Sequence, residues 1–355
     1  MNLKLRIALE LERKRRQNMK QLHPLKQLFW ECTLRCNLHC LHCGSDCKNV
    51  STMPDMPAQD FLRAVDEVLP HVDPHQLMVI ISGGEPLVRK DLEEVGRELY
   101  KREMPWGMVS NGLLLTEQRL KSLMAAGMRS ITISLDGMAE DHNWMRGNAQ
   151  SHACAMRAIR LLSQTRLAWD VVTCVNRRNV AYLEELKQML IEAGVRNWRL
   201  FSIFPVGRAK EHPDLQLPDE DFRRLLDFIA ENRKQMDNPI HLKFACEGFL
   251  GDYEGQVRDN LYLCNAGVTV ASVLIDGSIS ACTSIRGKFY QGNIYKDNLW
   301  EVWENRFQTY RNREWARQGE CADCKMFRYC EGNGMHLHDE EGKLLVCHLK
   351  RIKNS

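Results

Sequence analysis

The chain has 355 residues, 44% of them hydrophobic, and sets 49 Lys and Arg against 46 Asp and Glu for a net charge of +3. That length supports one large core with an appendage, and the near-neutral balance gives no sign of a nucleic-acid partner. No run approaches the ~18 apolar residues of a membrane span, and the N-terminus lacks the apolar core and small-residue cleavage site of a secretory signal. A cytoplasmic protein with no membrane partner is expected, and in that setting its 14 cysteines read as metal ligands or redox groups rather than disulfides.

Residues 1–27 read as one amphipathic helix, with Leu3, Ile7, Leu9 and Leu11 among charges. The basic run Arg13-Lys14-Arg15-Arg16 reads as a solvated helix face. Strand and helix then alternate. Strands are expected at 27–31, 77–82, 106–110, 131–135, 169–175 and 198–204. Helices are expected at 57–69, 91–102, 117–126, 153–163, 182–193 and 221–234, the first opened by Pro57. Six short apolar strands alternating with helices argue for a parallel sheet with helices outside. The α/β fold expected is an incomplete (β/α)6 TIM-type barrel, with its chemistry on the loops after the strands. Beyond about 239 the character changes to glycines, short strands and spaced cysteines. The domains expected are an N-terminal helix over 1–27, a partial barrel over 28–238 and a small cysteine-rich α+β domain over 239–355.

The first strand runs into Cys36-Asn37-Leu38-His39-Cys40-Leu41-His42-Cys43, a C-x3-C-x2-C motif. Three thiolates hold three irons of a 4Fe–4S cube and leave the fourth open, whereas a cluster that only carries electrons normally takes four cysteines. A structural zinc site is the competing reading. It wants paired ligands and fits three crowded cysteines poorly, although Cys32 and Cys47 flank the motif. With this spacing the chain resembles the radical S-adenosylmethionine (AdoMet) enzymes. The resemblance implies that the amino and carboxylate groups of AdoMet chelate the open iron.

Further motifs follow at the expected strand ends. Gly83-Gly84-Glu85-Pro86 ends the second strand, and the resemblance places this loop at the AdoMet amino group, with the Glu85 carboxylate and exposed carbonyls suited to an ammonium. Ser134 and Arg146 match the family's carboxylate-binding pair, and Asn111 and Asp136 are expected at the ribose or the substrate cavity. For those two, turn and cap chemistry is the alternative. His42 stands where the family has an aromatic beside the adenine, and Val206 lies in a loop resembling the family's adenine-side loop.

The C-terminal cysteines resemble the SPASM extension of radical maturases, which holds auxiliary iron–sulfur clusters. One or two such clusters are expected. Cys321, Cys324, Cys330 and Cys347 supply four thiolates for one, with a zinc ribbon as the rival reading. The family's next cysteine is replaced by Gly334, which leaves Cys264 and Cys282 short of ligands. Cys246 is a candidate third ligand, with His336 or His338 as a fourth, or an open iron facing substrate. Absence of this cluster is the remaining alternative.

The resemblance implies reductive cleavage of AdoMet to a 5′-deoxyadenosyl radical, which then takes hydrogen from a C–H bond. It implies a flavodoxin- or ferredoxin-like electron donor. The expected substrate is a peptide or protein side chain. Alternatives are an anaerobic sulfatase (formylglycine) maturase, a small-molecule enzyme of cofactor biosynthesis, and a zinc-stapled binding protein without catalysis. Sulfatase maturases carry an Asp after the cysteine matching Cys282; here Thr283 stands there, and no catalytic base is assigned.

Overall fold

The computed structural model describes residues 1–354. Seven parallel strands, β1 (Gln27–Glu31), β2 (Met78–Ser82), β3 (Trp106–Ser110), β4 (Met128–Ser134), β5 (Ala168–Val175), β6 (Asn197–Ser202) and β7 (His241–Phe244), pair in chain order. On the far side of β1 the sheet is extended by β8 (Val270–Val273), which is parallel to it, then by β9 (Ser278–Ser280) and β10 (Gly292–Asn293), which are antiparallel. Among the described residues no pairing joins β7 to β10, the other edge of the sheet, so the barrel stays open at a seam beside β7.

The strands form because apolar and β-branched residues alternate. On β5, Val171, Thr173 and Val175 are fully buried, while Val172 and Cys174 face a cavity on the opposite side. The helices cover the outside: α1 (Leu3–Leu22), α2 (Ala58–Val68), α3 (Leu92–Lys101), α4 (Glu117–Ala125), α5 (Ala139–Arg146), α6 (Ser151–Ser163), α7 (Leu183–Glu192), α8 (Asp219–Lys234) and α9 (Leu299–Arg306). In α2 the residues Phe61, Leu62, Val65 and Val68 fall on one buried face, and Phe61 stacks on Trp30 of β1 with ring centroids 4.6 Å apart. Among the described residues no helix is long and apolar enough to cross a membrane.

The incomplete barrel agrees with the expectation, apart from an additional helix, α5, and three larger differences. A seventh strand, β7, follows α8; it has four residues, too few for a periodic signal. The sheet also runs across the expected boundary at 238/239, since β7 and β8 flank the barrel strands on both sides. Finally, α1 does not bury the stripe expected of it. Leu3, Ile7 and Leu11 are exposed, and Leu9 packs with Leu5 against Phe249, Tyr329 and Leu349. Positions two apart on a helix point roughly 200° away from each other, so Leu5 and Leu9 cannot share a face with Leu3, Ile7 and Leu11. Buried Arg16 adds a tie, its Nη1 donating to the Tyr329 carbonyl at 2.7 Å.

Candidate active site

The loop after β1 carries the cysteine triad, and its seat is made by close backbone approach. A Cβ on Gly83 would lie 2.2 Å from the Thr33 carbonyl oxygen, and one on Gly84 2.1 Å from that of Arg35. Both glycines are therefore required where the loop crosses the end of β2. The Gly84 and Glu85 amides donate to those same two carbonyls at 2.7 and 3.0 Å. On the opposite side Arg208 is 4% exposed and acts as a clasp. Its Nη1 donates to the Cys40 carbonyl and its Nη2 to the Cys47 carbonyl, each at 2.6 Å, while Nε reaches Asp46 at 3.1 Å. From the cysteine-rich domain Arg286 pairs with buried Glu31 at 3.0 Å and reaches Ser45 Oγ at 3.4 Å.

The triad opens on a cavity of about 350 Å³ at the C-terminal ends of the strands. Cys36, Cys40 and Cys43 line it together with His42, Gly83, Gly84, Glu85, Asn111, Ser134, Asp136, Arg146 and Val206. Residues drawn from six stretches of the sequence thus converge on one space. Pro86 stays behind the wall, buried in the 3-10 turn that follows.

Within this space the carboxylates are committed inward. Glu85, expected at an ammonium, instead accepts from Ser110 Oγ and the Asn111 amide, each at 2.8 Å, and from the Leu87 amide at 3.1 Å. Burial raises its pKa against those three donors. In this position it joins the ends of β2 and β3. Asp136 is 1% exposed, and its Oδ2 takes Arg146 Nε at 2.7 Å and Nη2 at 2.6 Å. Burial alone would raise the Asp136 carboxyl, and the Arg146 charge overrides it, so it stays ionised. Arg146 sits in the last turn of α5, where a cation opposes the helix dipole, and the chain turns away at Gly147 with φ 65°. That pairing leaves Nη1, 4.0 Å from Cys40 Sγ, facing the triad.

The lining fits a cluster and its nucleotide. Burial pushes the Cys40 thiol up to about 12 and raises Cys36, so without a metal these sulfurs stay protonated; bound iron would stabilise them as thiolates. Backbone amides already turn toward sulfur, that of Cys47 lying 3.4 Å from Cys43 Sγ. His42 Nδ1 and Asn37 Nδ2 are buried without partners in this loop, polar atoms that a ligand would satisfy. Burial depresses His42 to about 4, so its ring is neutral and suited to stack on a base.

Two further cysteine groups form. Cys246 lies near enough to Cys264 and Cys282 for the three to repel as thiolates, at the barrel seam. Cys321, Cys324, Cys330 and Cys347 are likewise mutually close, and the Asn333 amide reaches Cys330 Sγ at 3.1 Å. His338 packs instead beside Trp315, its Nδ1 3.2 Å from the Gly334 carbonyl. His336 is half-buried against Phe204, its Nε2 buried and unpartnered. All the cysteines are free thiols.

Sequence reasoning missed Arg208, Glu31 and Glu247. Glu247 is fully buried, takes the Ser202 amide at 2.6 Å and meets His348 Nε2 at 3.1 Å, tying the end of β6 to the C-terminal helix His348–Asn354. The signal available for Arg208 was its place directly after Gly207. A Cβ on that glycine would lie 2.3 Å from the Gly44 carbonyl oxygen.

Comparison with known proteins agrees with this geometry. The radical SAM superfamily profile matches residues 30–190, and that of the SPASM iron–sulfur cluster-binding domain matches 264–325. The AdoMet-dependent heme synthase of Methanosarcina barkeri is 27% identical over 327 residues, 86% of this chain and 90% of that protein. Mycofactocin maturase MftC of Mycolicibacterium smegmatis is 29% identical over 315 residues, 87% of this chain and 77% of that protein. Among solved structures, native anSMEcpe with bound AdoMet aligns with a TM-score of 0.72 at 20% identity, covering 93% of this chain and 95% of that one. Streptococcus suis SuiB bound to AdoMet aligns at 0.66 and 16% identity, over 87% and 72% of the two chains; both likenesses concern the fold. With a triad loop at the mouth of an open barrel and a cysteine-rich extension continuing its sheet, the chain belongs to the radical SAM superfamily as a SPASM-domain enzyme, whose cofactors are AdoMet on a 4Fe–4S cluster and auxiliary iron–sulfur.

Proposed function

We propose that this enzyme removes a hydrogen atom from a side chain of a peptide or protein. One observation carries the reading: Phe201 lines the triad cavity and also a second cavity of about 430 Å³ at the barrel seam. The two adjoin across a single side chain, which gives an extended substrate a route from the surface to the triad.

Cys36, Cys40 and Cys43 would hold the AdoMet-binding cluster. When bound and reduced by one electron, that pair supplies a 5′-deoxyadenosyl radical. The chain's own groups do the positioning. The Gly83–Gly84 backbone would face the AdoMet ammonium. Ser134 and Arg146 Nη1 would face its carboxylate, with Asp136 fixing the guanidinium. Neutral His42 and the Val206 loop would border the adenine, and Asn111 Nδ2, 2.8 Å from Asn37 Oδ1, would steady the loop beside Cys36. Cys321, Cys324, Cys330 and Cys347 would hold one auxiliary cluster. Cys246, Cys264 and Cys282 would hold a second, short of one ligand, where the seam meets the barrel. An electron donor of the flavodoxin or ferredoxin kind is part of this reading, as is a cytoplasmic setting.

Thr283 in place of an acidic base argues against formylglycine formation on a sulfatase. A second reading, a heme-related small molecule as substrate, is favoured by the heme synthase relative, most of whose length this chain spans. The two are separated by deuterium transfer into 5′-deoxyadenosine under anaerobic turnover. Side-chain-deuterated peptides encoded beside the gene are compared with deuterated iron coproporphyrin. Label arriving from a peptide is expected; label arriving from the porphyrin alone would overturn the peptide reading.

A further inference from the structure

The seam cavity is lined by more cations than acids. Arg15, Lys26, Arg199, Lys243 and Arg258 stand against one lining acid, Asp259, although Arg15 is paired with Glu12 at 2.6 Å and Arg258 with Glu254 at 3.1 Å. Asp259 is already shared, 3.0 Å from Arg233, 2.7 Å from His241 and 3.9 Å from Lys243. The cavity walls come from the β7 edge of the sheet and from the segments that enter β1 and β8. Lys243 lies on β7, Lys26 and Thr269 precede β1 and β8, and α1 adds Arg15. Two lining groups are also unsatisfied. The Tyr262 hydroxyl and Arg199 Nε are buried without hydrogen-bond partners, although Arg199 Nη2 pairs with Asp170 at 2.8 Å. Tyr262 itself is 4% exposed. Buried donors left unpaired beside Lys26 and Lys243 describe a site for an anion with several acceptor oxygens. Cys246 stands in the same wall, so a ligand here lies beside the proposed second auxiliary cluster.

We infer that the seam cavity is a carboxylate-recognition site, in which Lys26, Lys243, Arg199 and Tyr262 hold an acidic group of the substrate while the reacting carbon passes Phe201 toward the triad. This rests on the reading of the seam as the substrate's route. The acid belongs either to a peptide or to the rim of a macrocycle; the chemistry that recognises it is the same. Electrostatic attraction at the mouth would also speed encounter with an acidic segment.

The test is equilibrium binding to the full-length, cluster-reconstituted protein under argon at about 150 mM salt, an ionic strength that screens exposed charges. It needs no turnover, so it stands or falls apart from the identity of the reaction. One arm uses fluorescein-labelled tetraglutamate against tetraglutamine, read by anisotropy. The other uses coproporphyrin III against its tetramethyl ester, read by the shift of its visible absorption band. At least one acidic probe should bind about tenfold tighter than its neutral counterpart, and Lys243→Glu should remove that advantage. Lys14→Glu makes the same charge change on the exposed side of α1 and should leave the advantage in place. Preference for tetraglutamate assigns the acid to a peptide, and preference for the porphyrin assigns it to a macrocycle. Equal binding of acidic and neutral probes in both arms overturns the site, as does an equal loss in the Lys14 and Lys243 variants. Should Lys243→Glu fail to fold, Tyr262→Phe, which deletes one hydroxyl, is expected to weaken the preferred probe several-fold, and no change there overturns the site.

Discussion

The triad loop is held by single residues whose contacts are remote in sequence. Arg208 satisfies two carbonyls of the loop and pairs with Asp46 while almost fully buried. Arg208→Ala would strand those carbonyls, at a cost of about 3 kcal/mol. Chemical denaturation should show that loss, and iron analysis should show loss of the triad's metal. Lys at this position restores charge without the fork and should recover only part of either. A second residue sets an acid limit. His142 is fully buried, and its Nδ1 accepts the Asp136 amide at 3.0 Å, which places its proton on Nε2. Burial depresses its pKa to about 3. Between that value and the ordinary 6.5, the unfolded chain takes up a proton that the folded chain refuses, so stability falls as pH falls. Going from pH 6.5 to 5 should cost about 2 kcal/mol through this group. His142→Asn keeps an acceptor and should flatten that slope in denaturation curves taken across the range. The cysteines were legible because ligand spacing is local and chemically demanding. Arg208 and the inward role of Glu85 were not, because their partners are set by tertiary contact: 168 residues separate Arg208 from Cys40.

At the scale of elements, the strand ends carry the site and the glycines carry the strand ends. Gly84 has no room for a methyl group, since the nearest atom to its Cβ position is backbone rather than a mobile side chain. Gly84→Ala must therefore lift the triad loop from β2. We expect a loss of about 1–3 kcal/mol and AdoMet binding weakened well beyond the effect of Gly44→Ala, whose Cβ would meet only a Val206 methyl at 3.5 Å. Equilibrium dialysis with labelled AdoMet, alongside thermal melts, checks both. Short apolar runs set between helical stretches made β1 to β6 legible. The four-residue β7 and the eight-residue α5 were missed because neither is long enough to show its period. For α1 the helix was evident, but its buried face was not. Which of two leucine stripes turns inward depended on where Phe249 and Tyr329 stood, and a single-helix pattern does not contain that information.

Across the molecule, one sheet unites the two parts named from composition. β8 lies directly against β1, so the cysteine-rich extension is fixed to the strand that launches the triad loop. Arg286 and Glu31 clamp the same junction. This arrangement places three cysteine groups around one open barrel, with the seam as the route we propose for the substrate. The central claim is that Cys36, Cys40 and Cys43 present an iron with a vacant position to AdoMet. Its most direct measurement is the yield of 5′-deoxyadenosine from AdoMet after anaerobic reconstitution and reduction, comparing the native chain with Cys40→Ala. 5′-Deoxyadenosine is expected from the native chain and none above background from the variant. Equal yields from the two, or none from a fully reconstituted and reduced native chain, would contradict that claim.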